Sequence, residues 1–238
     1  MTVNDNVLKL ADLQIPLKIR KGRARRISLR FLEEFLLVET TNGQLSPQDH
    51  LFIQQNEKWI KGNYFRHLSG WQEKNRFLQF ADAYTEIFGI PTPVTIIPGA
   101  SYHYHYRNTE LQITAPSAAL SKKKEMIGAV TRKISETYLT KRVNYWSEIT
   151  QLKFNQLRIK NHQSKWGSCS SLQNINLNWH LILLTKEQID YVIIHELMHL
   201  KEMNHSPRFW AWVEKYCPDY RRIRKSIRDR QWIIGIYS

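Results

Sequence analysis

The chain has 238 residues, enough for one large domain or two small ones, and 42% of them are hydrophobic, as a globular core requires. No window approaches the roughly 18 uninterrupted apolar residues of a membrane-spanning helix, and Met1 to Arg20 lacks the parts of a secretory signal. The two cysteines, Cys169 and Cys217, are too few for a disulfide framework, so a soluble protein of the reducing cytoplasm is expected; 35 Lys and Arg against 21 Asp and Glu leave a net charge of +14.

Residues 1–116 form a β-rich N-terminal portion. Strands are expected at Ile27–Phe31, Phe35–Thr40, Val94–Ile97 and Tyr102–Arg107, with turn signals at Asn42-Gly43, Gly89 and Pro98-Gly99. Among them Ser46–Leu68 has helical spacing, with Ser46 as N-cap and Pro47 at the first helical position. The segment Arg20–Arg30 is dense in arginine; its alternating cations suit a phosphate backbone or an acidic peptide, and equally a solvated strand face. His103 and His105 alternate on one strand face, which reads more simply as surface or packing than as a second metal site.

Residues 117–238 form a helical portion, and the two portions could make one continuous domain. Met126, Val130, Ile134, Tyr138, Val143 and Trp146 mark a long amphipathic helix over Ser121–Leu152. Strands at Leu157–Lys160 and Asn174–Leu184 flank a turn at Trp166-Gly167-Ser168. Helices are expected from Lys186 to Met203 and from Pro207 to Arg230, the latter with its basic residues on an exposed side.

The chemistry lies in the helix beginning at Lys186. His195-Glu196-Leu197-Met198-His199 is an HExxH pattern, and two histidines four residues apart in an α-helix are separated by about 400° and roughly 6 Å of rise. Both imidazoles therefore leave nearly the same face and can share one metal ion. Glu196, about 100° around, can reach a metal-bound water without entering the coordination sphere. Neutral imidazole suits zinc, so one Zn2+ per chain is expected, with three protein ligands and a fourth position for water.

The third ligand must come from further along. His205 can reach the metal only if the helix ends and the chain bends back, which Asn204 as a left-handed stop and Pro207 would favour. Glu214 on the following helix is the rival. The full spacing is that of metzincin-type zinc peptidases, except that Glu202 stands where those have glycine and no later methionine turn is available.

Asn204 to Trp210 after the HELMHL run, together with Lys165 to Ser170, Leu177-Asn178-Trp179 and Ile189 to Val192, resembles the YgjP-like metallopeptidase domain family, which is related to the SprT-like zinc peptidases. Arg20–Arg30 also resembles that family's N-terminal signature. Lys165 replaces an arginine frequent in the family. The resemblance implies a zincin-like α+β catalytic domain carrying HExxH on a helix, with His195, His199 and His205 as metal ligands.

Other residues have plainer readings. Cys169 is more simply a structural residue than a nucleophile, Trp166 and Trp179 favour packing, and Phe209, Trp210 and Trp212 are expected to lock the returning segment onto the HExxH helix. Tyr216, Tyr220 and His162 are candidates for stabilising an oxyanion. The expected function is zinc-dependent hydrolysis of peptide bonds in a protein or peptide substrate, by an endopeptidase rather than an exopeptidase, with Glu196 as general base. The alternatives are a basic nucleic-acid-binding protein with a structural zinc site and a protease recruited by DNA, non-specific nucleic acid being the candidate partner in both.

Overall fold

The computed structural model of the chain describes residues 2–4, 7–10, 13–22 and 26–237. The chain divides into two compact units, residues 1–73 and 74–238.

The first unit contains strands β1 (Thr2–Asn4), β2 (Val7–Leu10), β3 (Leu13–Lys21), β4 (Ser28–Leu32) and β5 (Phe35–Thr40), in the order β1-β2-β3-β5-β4. The β3–β5 pair is parallel and the others antiparallel. Alternation along β3 sends Ile15 and Leu17 inward, where they meet Leu8, Leu36, Val38, Ile53 and Ile60. The single helix expected over 46–68 is two, α1 (Pro47–Gln55) and α2 (Glu57–Gln79). Ser46 and Asp49 close a capping box at the start of α1, and Asn56 ends it by turning its side-chain amide back to the Phe52 carbonyl at 2.8 Å.

Of the basic segment Arg20–Arg30, Arg23, Ala24 and Arg25 lie outside the described residues. Arg20 and Arg30, from the strands flanking β5, converge on Glu39 at 2.9 and 2.6 Å. The two guanidiniums and the Ser28 hydroxyl hold its carboxyl below the usual range. These two cations are therefore partnered within the sheet.

The second unit contains two sheets. Strands β6 (Tyr84–Ile87), β7 (Ile90–Pro98), β8 (His103–Arg107) and β9 (Glu110–Ala115) lie in the order β6-β7-β9-β8, and β10 (Gln156–Lys160), β11 (Gly167–Cys169) and β12 (Asn174–Asn178) in the order β10-β12-β11. The helices are α3 (Lys123–Thr150), α4 (Lys186–Met198), α5 (Pro207–Tyr216) and α6 (Tyr220–Asp229).

The division at 116/117 anticipated from composition is not where the units part. Val94, Leu111, Ile113 and Ala115 of the first sheet share a core with Met126 and Ile127 of α3, so that sheet belongs with the helices. Three further expectations change. The segment 167–169 is a strand, not a turn; strand character after 174 stops at Asn178, giving way to a 3-10 turn over Trp179–Leu183; and the last helix is broken at Cys217-Pro218-Asp219 because proline cannot continue it.

Candidate metal centre

Helix α4 is anchored before it is functional. Thr185 caps its N-terminus in a capping box with Gln188, and Gly89 approaches Thr185 so closely, at a φ of +70°, that a Cβ there would lie 2.9 Å from the threonine methyl. Asp190 receives a two-pronged ion pair from Arg142 at 2.5 and 2.6 Å and the Trp146 indole at 3.0 Å, tying α4 to α3. Ile189, Val192, Ile193, Ile194, Leu197 and Met198 are buried around the helix.

The helix ends at Met198, with His199 as C-cap. The Leu200, Lys201 and Glu202 amides then bond back to the Leu197 and Met198 carbonyls, wrapping the chain tightly. Asn204 is not left-handed as expected; no residue between His199 and Ser206 has a positive φ. Ser206 caps α5 by accepting the Phe209 amide at 3.2 Å, with Pro207 at the first turn.

This return places His205 against the two helical histidines. One ring nitrogen from each of His195, His199 and His205 lies within 4.8 Å of the others, and the Nε2 atoms of His195 and His205 are 3.0 Å apart. The edge of a tetrahedral zinc–nitrogen site is about 3.3 Å, so this separation fits such an ion. His199 Nδ1 lies 3.1 Å from the Glu202 carbonyl. A carbonyl only accepts, so Nδ1 carries the proton and Nε2 is left as the lone-pair donor. Glu214, the rival third residue, is instead paired with Arg221 at 2.6 Å.

Phe209 forms the floor, with its ring 4.5 to 5.0 Å from all three imidazoles, and Trp210 stacks on His205 at 5.5 Å. Trp210 in turn lies between Tyr220 at 5.1 Å and the Arg224 guanidinium at 4.8 Å. Burial, then the neighbouring charges of His199, His205 and Arg224, push His195 down to about 3; burial first also lowers His199 and His205. All three rings are thus neutral at physiological pH, the form that binds metal.

Glu196 is 6% exposed and has no hydrogen-bond partner among the described residues. Burial raises its pKa to about 8, against the weaker opposing effect of Lys165. Its carboxylate lies against Gly167 of β11, where an added Cβ would sit 2.7 Å from Oε1. The Trp-Gly-Ser-Cys run therefore supplies a strand whose missing side chain makes room for Glu196.

That strand is held from behind by Asn178, which is fully buried. Its side-chain amide donates to the carbonyls of His162 and Lys165 at 2.9 and 3.0 Å, its backbone amide donates to the Trp166 carbonyl at 2.8 Å, and its side-chain oxygen lies 2.9 Å from His180 Nδ1. Trp166 is buried and donates to Gln231 at 3.1 Å.

The structure thus brings His195, His199 and His205 together, with Glu196 next to His195 on α4 and its carboxylate against Gly167. Gly167, Asn178 and Arg224 were missed as contributors: Gly167 reads as a turn residue in sequence, Asn178 as one position of a strand, and Arg224 as one of several cations on the exposed side of a helix. Cys169 sits near Glu196 with its thiol pushed up to about 11 by burial, then by the Glu196 charge, the opposite of an activated nucleophile. Of the three residues considered for an oxyanion, Tyr220 reaches the histidines through Trp210, while no ring contact or hydrogen bond joins Tyr216 or His162 to them among the described residues.

A family model described as YgjP-like, metallopeptidase domain matches residues 26–230. No curated protein matches the chain. Among solved structures, the metallopeptidase zymogen abylysin of Pyrococcus abyssi is 27% identical over 37% of this chain and 90% of its own, with a TM-score of 0.35. The zymogen jannalysin of Methanocaldococcus jannaschii is 23% identical over 39% of this chain and 95% of its own, with a TM-score of 0.36. With the match running from β4 through the histidine cluster to α6, most of the chain, the chain belongs to the YgjP-like metallopeptidase domain family.

Proposed function

We propose that the chain is a zinc-dependent endopeptidase of zincin type, with one zinc held by His195, His199 and His205 and with Glu196 as general base. The observation that carries this reading is the convergence of three neutral imidazoles, one nitrogen of each within 4.8 Å of the others, at the end of the helix that also carries a buried carboxylate with no hydrogen-bond partner among the described residues. Bound there, zinc supplies a Lewis acid that polarises a substrate carbonyl and lowers the pKa of water towards about 7.

The chain's own residues do the rest. Glu196 takes the proton of the attacking water and delivers it to the departing amine as the carbon–nitrogen bond breaks. Lys165 favours its carboxylate form, opposing in part the burial that raises its pKa. Gly167 lets the carboxylate lie flat against β11, and Phe209 excludes water from beneath the rings. Strand β11 pairs with β12 alone, so its other edge is free to align an extended peptide through main-chain hydrogen bonds. Such pairing needs residues on both sides of the scissile bond, which favours cleavage within chains. Three protein ligands and an adjacent base also argue against a closed structural zinc site, which would need four ligands.

Glu196→Gln tests this. The amide is nearly isosteric but cannot accept the proton, so zinc content should stay near one equivalent while peptide cleavage falls by about 10²–10⁴-fold. Near-normal turnover by the metallated variant would remove Glu196 from the mechanism. His195→Ala or His199→Ala should lose most of the metal, and His205→Ala should weaken both metal affinity and rate.

A further inference from the structure

A cavity of about 670 Å³ opens beside β8, at the sheet's outer edge, and is bounded on its other side by α3. No part of the catalytic proposal uses it. Its floor is apolar, built from Ile113 of β9 and from Met126, Ala129 and Val130 on one stripe of the helix.

Among the described residues the edge strand is unpaired on the side away from β9. Arg107 and Glu110 close the β8–β9 hairpin around Asn108-Thr109, both with positive φ, as a two-residue turn requires. In that register Arg107, His105 and His103 exchange main-chain hydrogen bonds with β9, and the N–H and C=O groups of Tyr104 and Tyr106 point outward. Tyr104 and Tyr106 pack into the core, whereas His103 and His105 are exposed, so side chains alternate across the sheet. Yet Tyr102 and the strand residues His103, Tyr104 and His105 all border the cavity, which three consecutive strand residues can do only along the strand's edge.

Charge says what would lie there. Lys122 and Lys133 flank the floor at either end of the helical stripe, both exposed and in no ion pair among the described residues, against a single acid, Glu125. Lys122, the N-cap of α3, and Lys133 are eleven positions apart, about 16 Å along the helix axis, which matches about five residues of extended chain.

We propose that this cleft is a docking groove for an extended acidic polypeptide segment that adds to β8 as a further strand. Main-chain bonds to Tyr104 and Tyr106 supply the alignment; of the side chains that face α3, every second residue of the segment, the middle ones are apolar and enter the floor and the outer ones are carboxylates that meet Lys122 and Lys133. The groove would hold a substrate or partner away from the histidine cluster, and its existence does not depend on the peptidase reading.

The test uses the full chain carrying Glu196→Gln, so that turnover of the probe does not intervene. Fluorescein-labelled seven-residue peptides, Glu-Ser-Val-Ser-Val-Ser-Glu or Lys-Ser-Val-Ser-Val-Ser-Lys, and a deoxythymidine decamer are titrated by anisotropy at low salt. The Glu-ended peptide should bind, the Lys-ended peptide should not, and amide hydrogen exchange should slow at Tyr104 and Tyr106. Reversing both cations with Lys122→Glu and Lys133→Glu should weaken the acidic probe roughly tenfold or more, and Ala129→Trp should block the floor. No binding of the acidic peptide by the folded protein overturns the proposal, as does binding without protection of Tyr104 and Tyr106. Displacement of the peptide by the decamer, with the decamer bound more tightly, would assign the groove to nucleic acid instead.

Discussion

At the residue scale, the relation between Gly167 and Glu196 is the one most easily broken. A methyl group at Gly167 would meet the Glu196 Oε1, Cγ and Cδ atoms at 2.7 to 3.0 Å, so Gly167→Ala must displace the carboxylate or the strand. Misplacing a reacting group by about 1 Å costs roughly 10–100-fold in rate. Gly167→Ala should therefore lower kcat by that order with zinc content unchanged, and should add little to Glu196→Gln; steady-state kinetics on both single variants and the double variant decides it. Protonation gives a second expectation. Glu196 binds its proton more tightly folded than unfolded, its pKa rising from 4.5 to about 8, so in metal-free protein its stabilising effect is complete below 4.5 and is lost as pH rises through 8. His195 runs the other way: its pKa falls from 6.5 to about 3, so its contribution is present above 6.5 and is lost as pH falls towards 3. Thermal unfolding of the metal-free protein should show both limbs, and Glu196→Gln should flatten only the alkaline one.

At the scale of elements, the turn between α4 and α5 decides whether three ligand candidates meet. HExxH spacing places two histidines on one helical face through geometry alone, but His205 depends on where α4 stops and on the cap that starts α5. The expectation that the chain bends back was legible in the spacing; the means was not, because the stop comes from main-chain bonds to Leu197 and Met198 rather than a left-handed Asn204. Ser206→Ala removes the cap, which should cost about 1 kcal/mol of stability. It should also weaken zinc binding, because the cap fixes the residue next to His205. Differential scanning calorimetry and a competitive chelator titration measure the two effects; unchanged zinc affinity would mean that Pro207 and Phe209 suffice to hold the return. The other element read differently was the Trp-Gly-Ser-Cys run. Gly and Ser are turn residues by local propensity, and only pairing with β12, held by Asn178, makes them a strand.

At the scale of the molecule, residues 1–73 and 74–238 have separate hydrophobic cores, with the histidine cluster in the second. Calorimetry should resolve two transitions, of which a zinc chelator lowers only that of residues 74–238; a single transition shifting as a whole would show that the units unfold together. No helix among the described residues is long and apolar enough to cross a membrane. The sequence by itself determined the α4 histidine pair, the carboxylate beside them, the family resemblance and the mixed α+β class, because each rests on local spacing or on motifs contiguous in the chain. Tertiary structure alone decided that β6 to β9 belong with α3, that Asn178 braces the loop behind Glu196, that Gly167 is the space Glu196 occupies, and that Glu214 is engaged by Arg221. Those relations join residues on different elements through packing and hydrogen bonding, and neither periodicity nor residue type records which partner will fill the space.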